Sequence, residues 1–235
     1  MPARAGARAA AAASVSVGAG YRMAGARVVT DGVLAILAAM SLIARISRHF
    51  EDSAQLKLEC VERMAAPIAQ AVEVAVAALA ADRKLMACGN GGSAGDAQHL
   101  AAELVGRFER ERPELAAIAL TTDSSILTAV ANDYGYDEVF ARQVRALGQT
   151  GDVLVAISTS GDSPNVLAAA RAAQARSMPV IALTGKGGGK LGALMGPDDV
   201  HLCVPHDRTM RIQEVHLLIV HCLCDGIDAA LLGDA

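Results

Sequence analysis

Residues 152–174 read DVLVAISTSGDSPNVLAAARAAQ. Val153–Ile157 is an unbroken apolar run, the pattern of a strand buried on both faces rather than one. Three hydroxyl residues, Ser158, Thr159 and Ser160, follow it, then Gly161, Asp162 and Ser163. Pro164 sets the first turn of an alanine-rich helix to about Arg176. Buried strand, polar glycine-containing turn and helix together make one half of a βαβ unit.

The same rhythm recurs along the chain. Lys84–Cys88 is a short apolar run ending at Gly89-Asn90-Gly91-Gly92-Ser93, with a helix to about Val105. Leu115–Leu120 ends at Thr121–Ser125, with a helix to about Ala131. Pro179–Leu183 ends at Thr184–Gly189, and Val200–Val204 precedes a final helix from about Arg208 to Leu232. Strands alternating with helices predict an α/β fold, a doubly wound five-stranded parallel sheet with helices on both faces. In such a sheet ligands bind at the carboxyl ends of the strands.

Ahead of the sheet, 40–82 is helical in pattern. Leu42, Ile43, Ile46 and Phe50 form one run, and Glu51-Asp52-Ser53 is expected to break it with Ser53 as an N-cap. A second helix follows with Leu58, Val61, Met64, Ile68, Val72, Val76 and Leu79 on one stripe. The expected organisation is a helical arm over 40–82 used in oligomerisation and an α/β domain over 83–235.

The chain has 235 residues, 53% hydrophobic, 20% charged and 3% aromatic, with no Trp and a net charge of −4. That composition excludes a disordered charged chain. It also lacks the aromatic platforms and the positive field that nucleic-acid binding uses. Residues 1–39 carry +3, which leaves −7 on the other 196. This Ala/Gly-rich stretch, with the run Ala9–Ala13, fits neither a secretory signal nor a spanning helix. It is expected to be a leader outside the fold, or to precede a start at Met23 or Met40. Five cysteines at 60, 88, 203, 222 and 224 match no disulfide framework or Cys₄ zinc spacing. They are expected as reduced, small core residues of a cytoplasmic protein.

The turns carry the chemistry. Ser158–Ser163 offers hydroxyls, free N–H groups and a positive helix end to an anion. No Lys follows directly, so the loop is not a Walker nucleotide loop, and a sugar phosphate suits its neutral donors. Gly89–Ser93 is not GxGxxG and has no ribose-binding acid at the required spacing; Asn90 and Ser93 can bind sugar hydroxyls instead. Thr184–Gly189 is read as structural.

On helices, His99 and Glu103 share a face at i and i+4; the pair can bind zinc or stay a solvent-facing pair. In the last helix Gln213 and His221 lie about 80° apart in projection, and His216 about 60° to the other side. Spacing therefore leaves His216 and His221 open. A carboxylate, an imidazole and an amide around a bound sugar phosphate suit an aldose–ketose isomerase working through an enediol.

The stretches CGNGGSAGDAQHLAAELVGRFERERP (88–113), ALTTDSS (119–125), ANDYG (131–135), AISTSGDSPN (156–165), ALTGKGGG (182–189) and RIQEVHLLIVHCLCDGID (211–228) together resemble the phosphoheptose isomerases of the sugar isomerase (SIS) domain family. The resemblance runs from about Met40 to Gly233, which favours Met40 as the start. It implies conversion of sedoheptulose 7-phosphate to D-glycero-D-manno-heptose 7-phosphate, the first step toward ADP-heptose and the lipopolysaccharide core. It also implies a cytoplasmic homotetramer, with no membrane or direct nucleic-acid partner, and one zinc per subunit.

By that resemblance the zinc ligands fall on His99, Glu103, Gln213 and His221. Glu103 is the implied base and His221 its acid–base partner. Substrate contacts fall on Asn90, Gly91, Gly92, Glu103, Asn132, Asp133, Ser158, Thr159, Ser160, Ser163 and Gln213, with Asp96 as a supporting candidate. One departure is Met210, where some family members carry an acid. The chain is also similar to the DnaA initiator-associating proteins, which share the RIQE…CLCD helix; the alternative is thus a DnaA-binding replication regulator. Glu103 and His221 favour the isomerases, and a non-catalytic sugar-phosphate sensor is a third reading.

Overall fold

The computed structural model describes residues 42–233, so the proposed leader at 1–39 and the start at Met40 lie outside the described residues. A long helix, α1 (Leu42–Ala80), comes first. Its residues 42–48 group apart from the compact unit His49–Ala235, which carries the whole sheet.

The elements after α1 are β1 (Leu85–Gly89), α2 (Gly92–Val105), β2 (Ala117–Ala119), α3 (Ser124–Tyr134), α4 (Ala141–Leu147), β3 (Val153–Ser158), α5 (Pro164–Gln174), β4 (Val180–Thr184), α6 (Gly189–Leu194), β5 (Val200–Cys203) and α7 (Thr209–Leu232). The five strands lie in the order β2-β1-β3-β4-β5, and every pairing is parallel. Strand order reverses between β1 and β3, which pair from Leu85↔Val153 to Gly89↔Ile157. The loops leaving these two strands diverge to opposite faces, opening the crevice where such sheets bind ligands.

Alternation along each strand divides the core in two. Leu85 and Ala87, Val153, Val155 and Ile157 join a cluster with α1, α2 and α7. Met86 and Cys88, Leu154 and Ala156 join the opposite cluster, with α4, α5 and α6. Both faces are apolar because both are covered, which is why the strands read as continuous runs.

The helical arm differs from expectation. α1 is unbroken over 39 residues, about 58 Å at 1.5 Å per residue. Glu51 and Asp52 are exposed positions on its surface rather than a break, and Ser53 bonds Glu214 of α7 instead of capping a helix. The buried stripe is Leu56, Cys60, Met64, Ala71, Ala75 and Ala78, so of the anticipated row Met64 is fully buried and Ile68, Val72, Val76 and Leu79 are partly buried. Leu58 and Val61 face outward, at 65% and 62% exposure. α1 and α7 are each long and apolar enough to cross a membrane, but α7 spends its apolar residues on the sheet. The short helices α4 and α6 lacked a legible period in the sequence. All five cysteines are free thiols, and Cys60, Cys88 and Cys224 are buried.

One glycine fixes the serine turn. Gly161 has φ +70, and a Cβ there would collide with the Gly188 carbonyl oxygen at the entry to α6. Its own carbonyl accepts from Leu191 N at 2.8 Å. The Thr184–Gly189 turn is thus structural: it buttresses the serine turn. Gly161→Ala is expected to destabilise the fold by about 3 kcal/mol, from a strained φ and a backbone clash. Gly95→Ala, in open space on α2, is expected to stabilise by about 0.5–1 kcal/mol. Urea unfolding of both variants checks the contrast.

Candidate active site

The site begins at the sheet's reversal point. Asn90 leaves β1 and Asn165 opens α5 after β3, and their side-chain amides exchange two hydrogen bonds. Asn90 Nδ2 donates to Asn165 Oδ1 at 2.8 Å, and Asn165 Nδ2 donates to Asn90 Oδ1 at 2.9 Å. Asn165 is buried and its Oδ1 also accepts from Val166 N, so Asn90 is held from below. Tyr136, just after α3, sends its hydroxyl toward Asn90 Oδ1 at 3.4 Å. Sequence reasoning missed both partners: Asn165 ends the AISTSGDSPN motif and Tyr136 follows ANDYG directly, but nothing in their spacing marks them as neighbours of Asn90.

Across the crevice is the serine turn. Ser158 and Ser163 hydroxyls lie 3.0 Å apart, and Ser160 Oγ accepts from Asp162 N at 3.1 Å. Asp162 is the only acid in the turn, and its carboxylate accepts from Lys190 N at 3.1 Å. That charge is therefore engaged by the α6 backbone. Ser163 occupies the N-cap position of α5 without making the usual cap bond, its hydroxyl being turned to Ser158.

α2 and α7 bring the ionisable groups together. At the start of α2, a Cβ on Gly92 would overlap the Gln213 amide, so the absence of a side chain there lets Gln213 lie against the backbone. Two turns further, His99 Nε2 is 3.2 Å from Glu103 Oε1 and 3.2 Å from His221 Nε2. Phe108 packs against His221, ring centroids 5.8 Å apart. Asp96, one turn before His99, keeps its Oδ2 buried with no hydrogen-bond partner. Burial pushes the Asp96 carboxyl up to about 6 against the opposing pull of His99.

The two histidines of α7 now separate. His216 is fully buried and its Nε2 meets the Thr184 carbonyl oxygen at 3.0 Å; it ties α7 to β4. His221, half-buried, meets His99. Asn132 and Asp133 are exposed near the end of α3, where Asn132 Nδ2 donates to Asp133 Oδ1 at 2.8 Å; among the described residues no side-chain hydrogen bond joins them to the Asn90 pair. Met210 is exposed, with its sulfur 3.3 Å from Arg208 Nη2.

Two of the spacings around His99 can be compared with those between neighbouring ligands of a zinc ion. A tetrahedron with Zn–N bonds of about 2.0–2.1 Å has edges of about 3.3 Å, against the 3.2 Å spacings of His99 to Glu103 and His99 to His221. Among the described residues no group of three or more His, Cys, Asp or Glu side chains is placed so that it could hold a metal ion as it stands.

Comparison with known proteins shows the family. The SIS domain family model matches residues 48–185. A phosphoheptose isomerase of Azoarcus sp. (strain BH72) is 70% identical over 194 residues, covering 83% of this chain and 98% of that protein. One from Bordetella avium is 65% identical over 195 residues, covering 83% and 99%. The solved structure of phosphoheptose isomerase GmhA from Neisseria gonorrhoeae superposes with a TM-score of 0.77 at 54% identity, covering 80% of this chain and all of that one. That of a phosphoheptose isomerase from Francisella tularensis gives 0.78 at 48% identity, covering 80% and 99%. The replication-initiator reading gains no support from these relatives.

His216 gives a pH signature distinct from the site. Burial lowers its pKa to about 4, against a partial offset from Thr184. The unfolded chain therefore takes up this proton near pH 6.5 while the folded chain refuses it. Its contribution is fully present above pH 6.5 and is lost as pH falls toward 4, by up to about 3 kcal/mol. Asp96 has the opposite sign between about 6 and 4, so the comparison must be between variants. His216→Gln is expected to flatten the acid loss of stability relative to the parent chain, measured by urea unfolding at pH 4.5 and 7.

Proposed function

The chain belongs to the phosphoheptose isomerases of the SIS-domain family, and from this premise we propose how its own residues carry the reaction. The activity is an aldose–ketose isomerisation of sedoheptulose 7-phosphate to D-glycero-D-manno-heptose 7-phosphate, the opening step toward ADP-heptose. The observation that carries the mechanism is the meeting of Glu103, His99 and His221 on the two helices that border the sheet's crevice.

Recognition comes first. Ser158, Thr159, Ser160 and Ser163 take the 7-phosphate through hydroxyls and the N-terminal end of α5. Asn90, Gly91 and Gly92 line the opposite wall for the sugar hydroxyls, with Asn90 fixed by Asn165. Asn132 and Asp133 are assigned to the substrate by family resemblance, and Gln213 by its seat against Gly92. Water is kept off one side of His221 by the Phe108 ring.

Proton transfer follows. The Glu103 carboxylate takes a proton from C1 of the open-chain ketose. The C1–H electron pair becomes the C1=C2 bond as the C2 carbonyl oxygen accepts a proton from His221. The enediol then collapses: Glu103 returns its proton to C2, the O1 proton passes to His221, and C1 becomes the aldehyde, so both groups are restored. Nothing is oxidised or reduced overall. Zinc, one per subunit on His99, Glu103, Gln213 and His221, would supply positive charge to the oxygens that become negative. The 3.2 Å spacings of His99 to Glu103 and to His221, close to the distance between neighbouring zinc ligands, support that assignment.

The remaining assignments concern the assembly. A homotetramer is supported by the outward apolar residues Phe50, Leu58 and Val61 and by a groove of about 540 Å³ between α1 and α7, lined by Met64, Ile68, Leu218 and Ile219 among others. A cytoplasmic location is supported by five unpaired thiols.

Three measurements test the reading. Glu103→Gln is expected to lower kcat on sedoheptulose 7-phosphate by at least about 10²-fold, with an unchanged far-ultraviolet circular dichroism spectrum; a fully active variant removes Glu103 from the base role. Protein purified without chelators is expected to hold about one zinc per chain; metal-free protein whose activity survives chelation removes zinc. Light scattering is expected to give a tetramer, and Leu58→Glu with Val61→Glu a smaller particle; an unchanged mass moves the interface elsewhere.

A further inference from the structure

The segment between α2 and β2 runs back along α7. Phe108 packs on His221, Arg110 Nη1 donates to the Gly233 carbonyl at 2.6 Å, and Arg112 reaches Asp228. Arg112 lies inside the ERERP motif and Asp228 closes the RIQE…DGID motif, yet the reaction uses neither. Both are buried. Arg112 Nε donates to Asp228 Oδ1 at 2.7 Å. Its Nη2 donates to the Glu103 carbonyl at 2.7 Å, and its Nη1 to the Leu104 carbonyl at 2.8 Å and the Pro113 carbonyl at 3.1 Å.

Glu103 and Leu104 belong to the last turn of α2, whose carbonyls have no partner within the helix. A cation there also meets the negative end of the helix dipole. Arg112 therefore closes the end of α2 and fastens it to α7 in one group. The contacts between the two helices advance in step: Gly92 with Gln213, His99 with His221, and then Glu103 through Arg112 with Asp228. The last rung is the rigid one, because a planar guanidinium fixes several acceptors at once. The Cys224 thiol lies beside this group; burial, with the Glu103 and Asp228 charges, pushes it up to about 12. It stays a neutral filler. Asp228 Oδ2 is buried with no hydrogen-bond partner, so Arg112 is the sole neighbour among the described residues that neutralises that carboxylate through a hydrogen bond.

We propose that Arg112, anchored by Asp228, is a positioning residue for the isomerisation: it sets the height and rotation of the last turn of α2, and thereby the distance of the Glu103 carboxylate and His99 from His221. It holds Glu103 by the backbone carbonyl rather than by the carboxylate, and no substrate contact is assigned to it. This rests on the functional reading above, in which Glu103 and His221 move protons. The proposed phosphate contacts lie on the serine turn, and Gly92 and Gln213 lie at the other end of α2 and near the start of α7, away from the clamp, so loosening the clamp affects the chemical step more than binding.

The test uses Arg112→Lys, Asp228→Asn and Asp228→Glu in the full chain. Arg112→Lys and Asp228→Asn are expected to lower kcat about ten- to hundredfold, with KM for sedoheptulose 7-phosphate within about threefold and a cooperative thermal transition above the assay temperature. Asp228→Glu, which keeps the charge, is expected to retain more of kcat than Asp228→Asn. Independently of substrate, the imidazole nitrogen resonances of His99 and His221 are expected to shift in both clamp variants. A folded variant with kcat within twofold of the parent overturns the proposal. So do a loss that merely tracks the folded fraction, unmoved imidazole signals, or failure of all three variants to fold. If the parent chain itself does not isomerise the heptulose phosphate, the functional reading falls, and the imidazole signals still decide whether Arg112 sets the contact.

Discussion

The parallel pairing of β1 with β3 governs the rest of the molecule. It brings Gly89 level with Ile157, so the two chains leave the sheet side by side and must part to opposite faces. From that separation come the crevice, the amide pair of Asn90 with Asn165 that bridges it, and the serine turn on the far wall. Gly161 then has no freedom, since the turn is pressed against the Gly188 carbonyl. A different strand order would leave the same loops with no shared edge.

An acidic chain that takes a phosphorylated substrate relies on local groups rather than its overall field. Here the serine turn provides hydroxyls and backbone donors, and its own acid, Asp162, is occupied by the Lys190 N–H. The ionisable residues are gathered on the other side, on α2 and α7. In the proposed mechanism, recognition and proton transfer thus use different physics: neutral hydrogen bonds and a helix end for the anion, and closely spaced titratable groups for the carbon chemistry.

Much of this was legible from residue order. Strands Leu85–Gly89, Val153–Ser158 and Val180–Thr184 follow the apolar runs within a residue or two, because double-sided burial writes itself as continuous hydrophobicity. The expected break at Glu51–Ser53 failed for a physical reason: charged residues on the exposed side of a long helix interrupt a hydrophobic stripe without interrupting the helix. Spacing left His216 and His221 level, since both sit in an apolar run. Only the third dimension shows that one meets a strand carbonyl and the other a histidine. Asn165 and Arg112 were hidden for a similar reason. Each acts on a residue far away in the chain, through contacts that no local period encodes.

The division of the core into two clusters has a further meaning. The helices bearing His99, Glu103 and His221 rest on one face of the sheet, whereas α5 and the buttress of the serine turn rest on the other. Packing changes on one side are screened from the other by a layer of backbone hydrogen bonds. The molecule is therefore divided across its thickness: the residues proposed to move protons and the turn proposed to hold the anion rest on separately packed layers. A sheet of this kind allows one sugar-phosphate grip to serve different chemistries, or none.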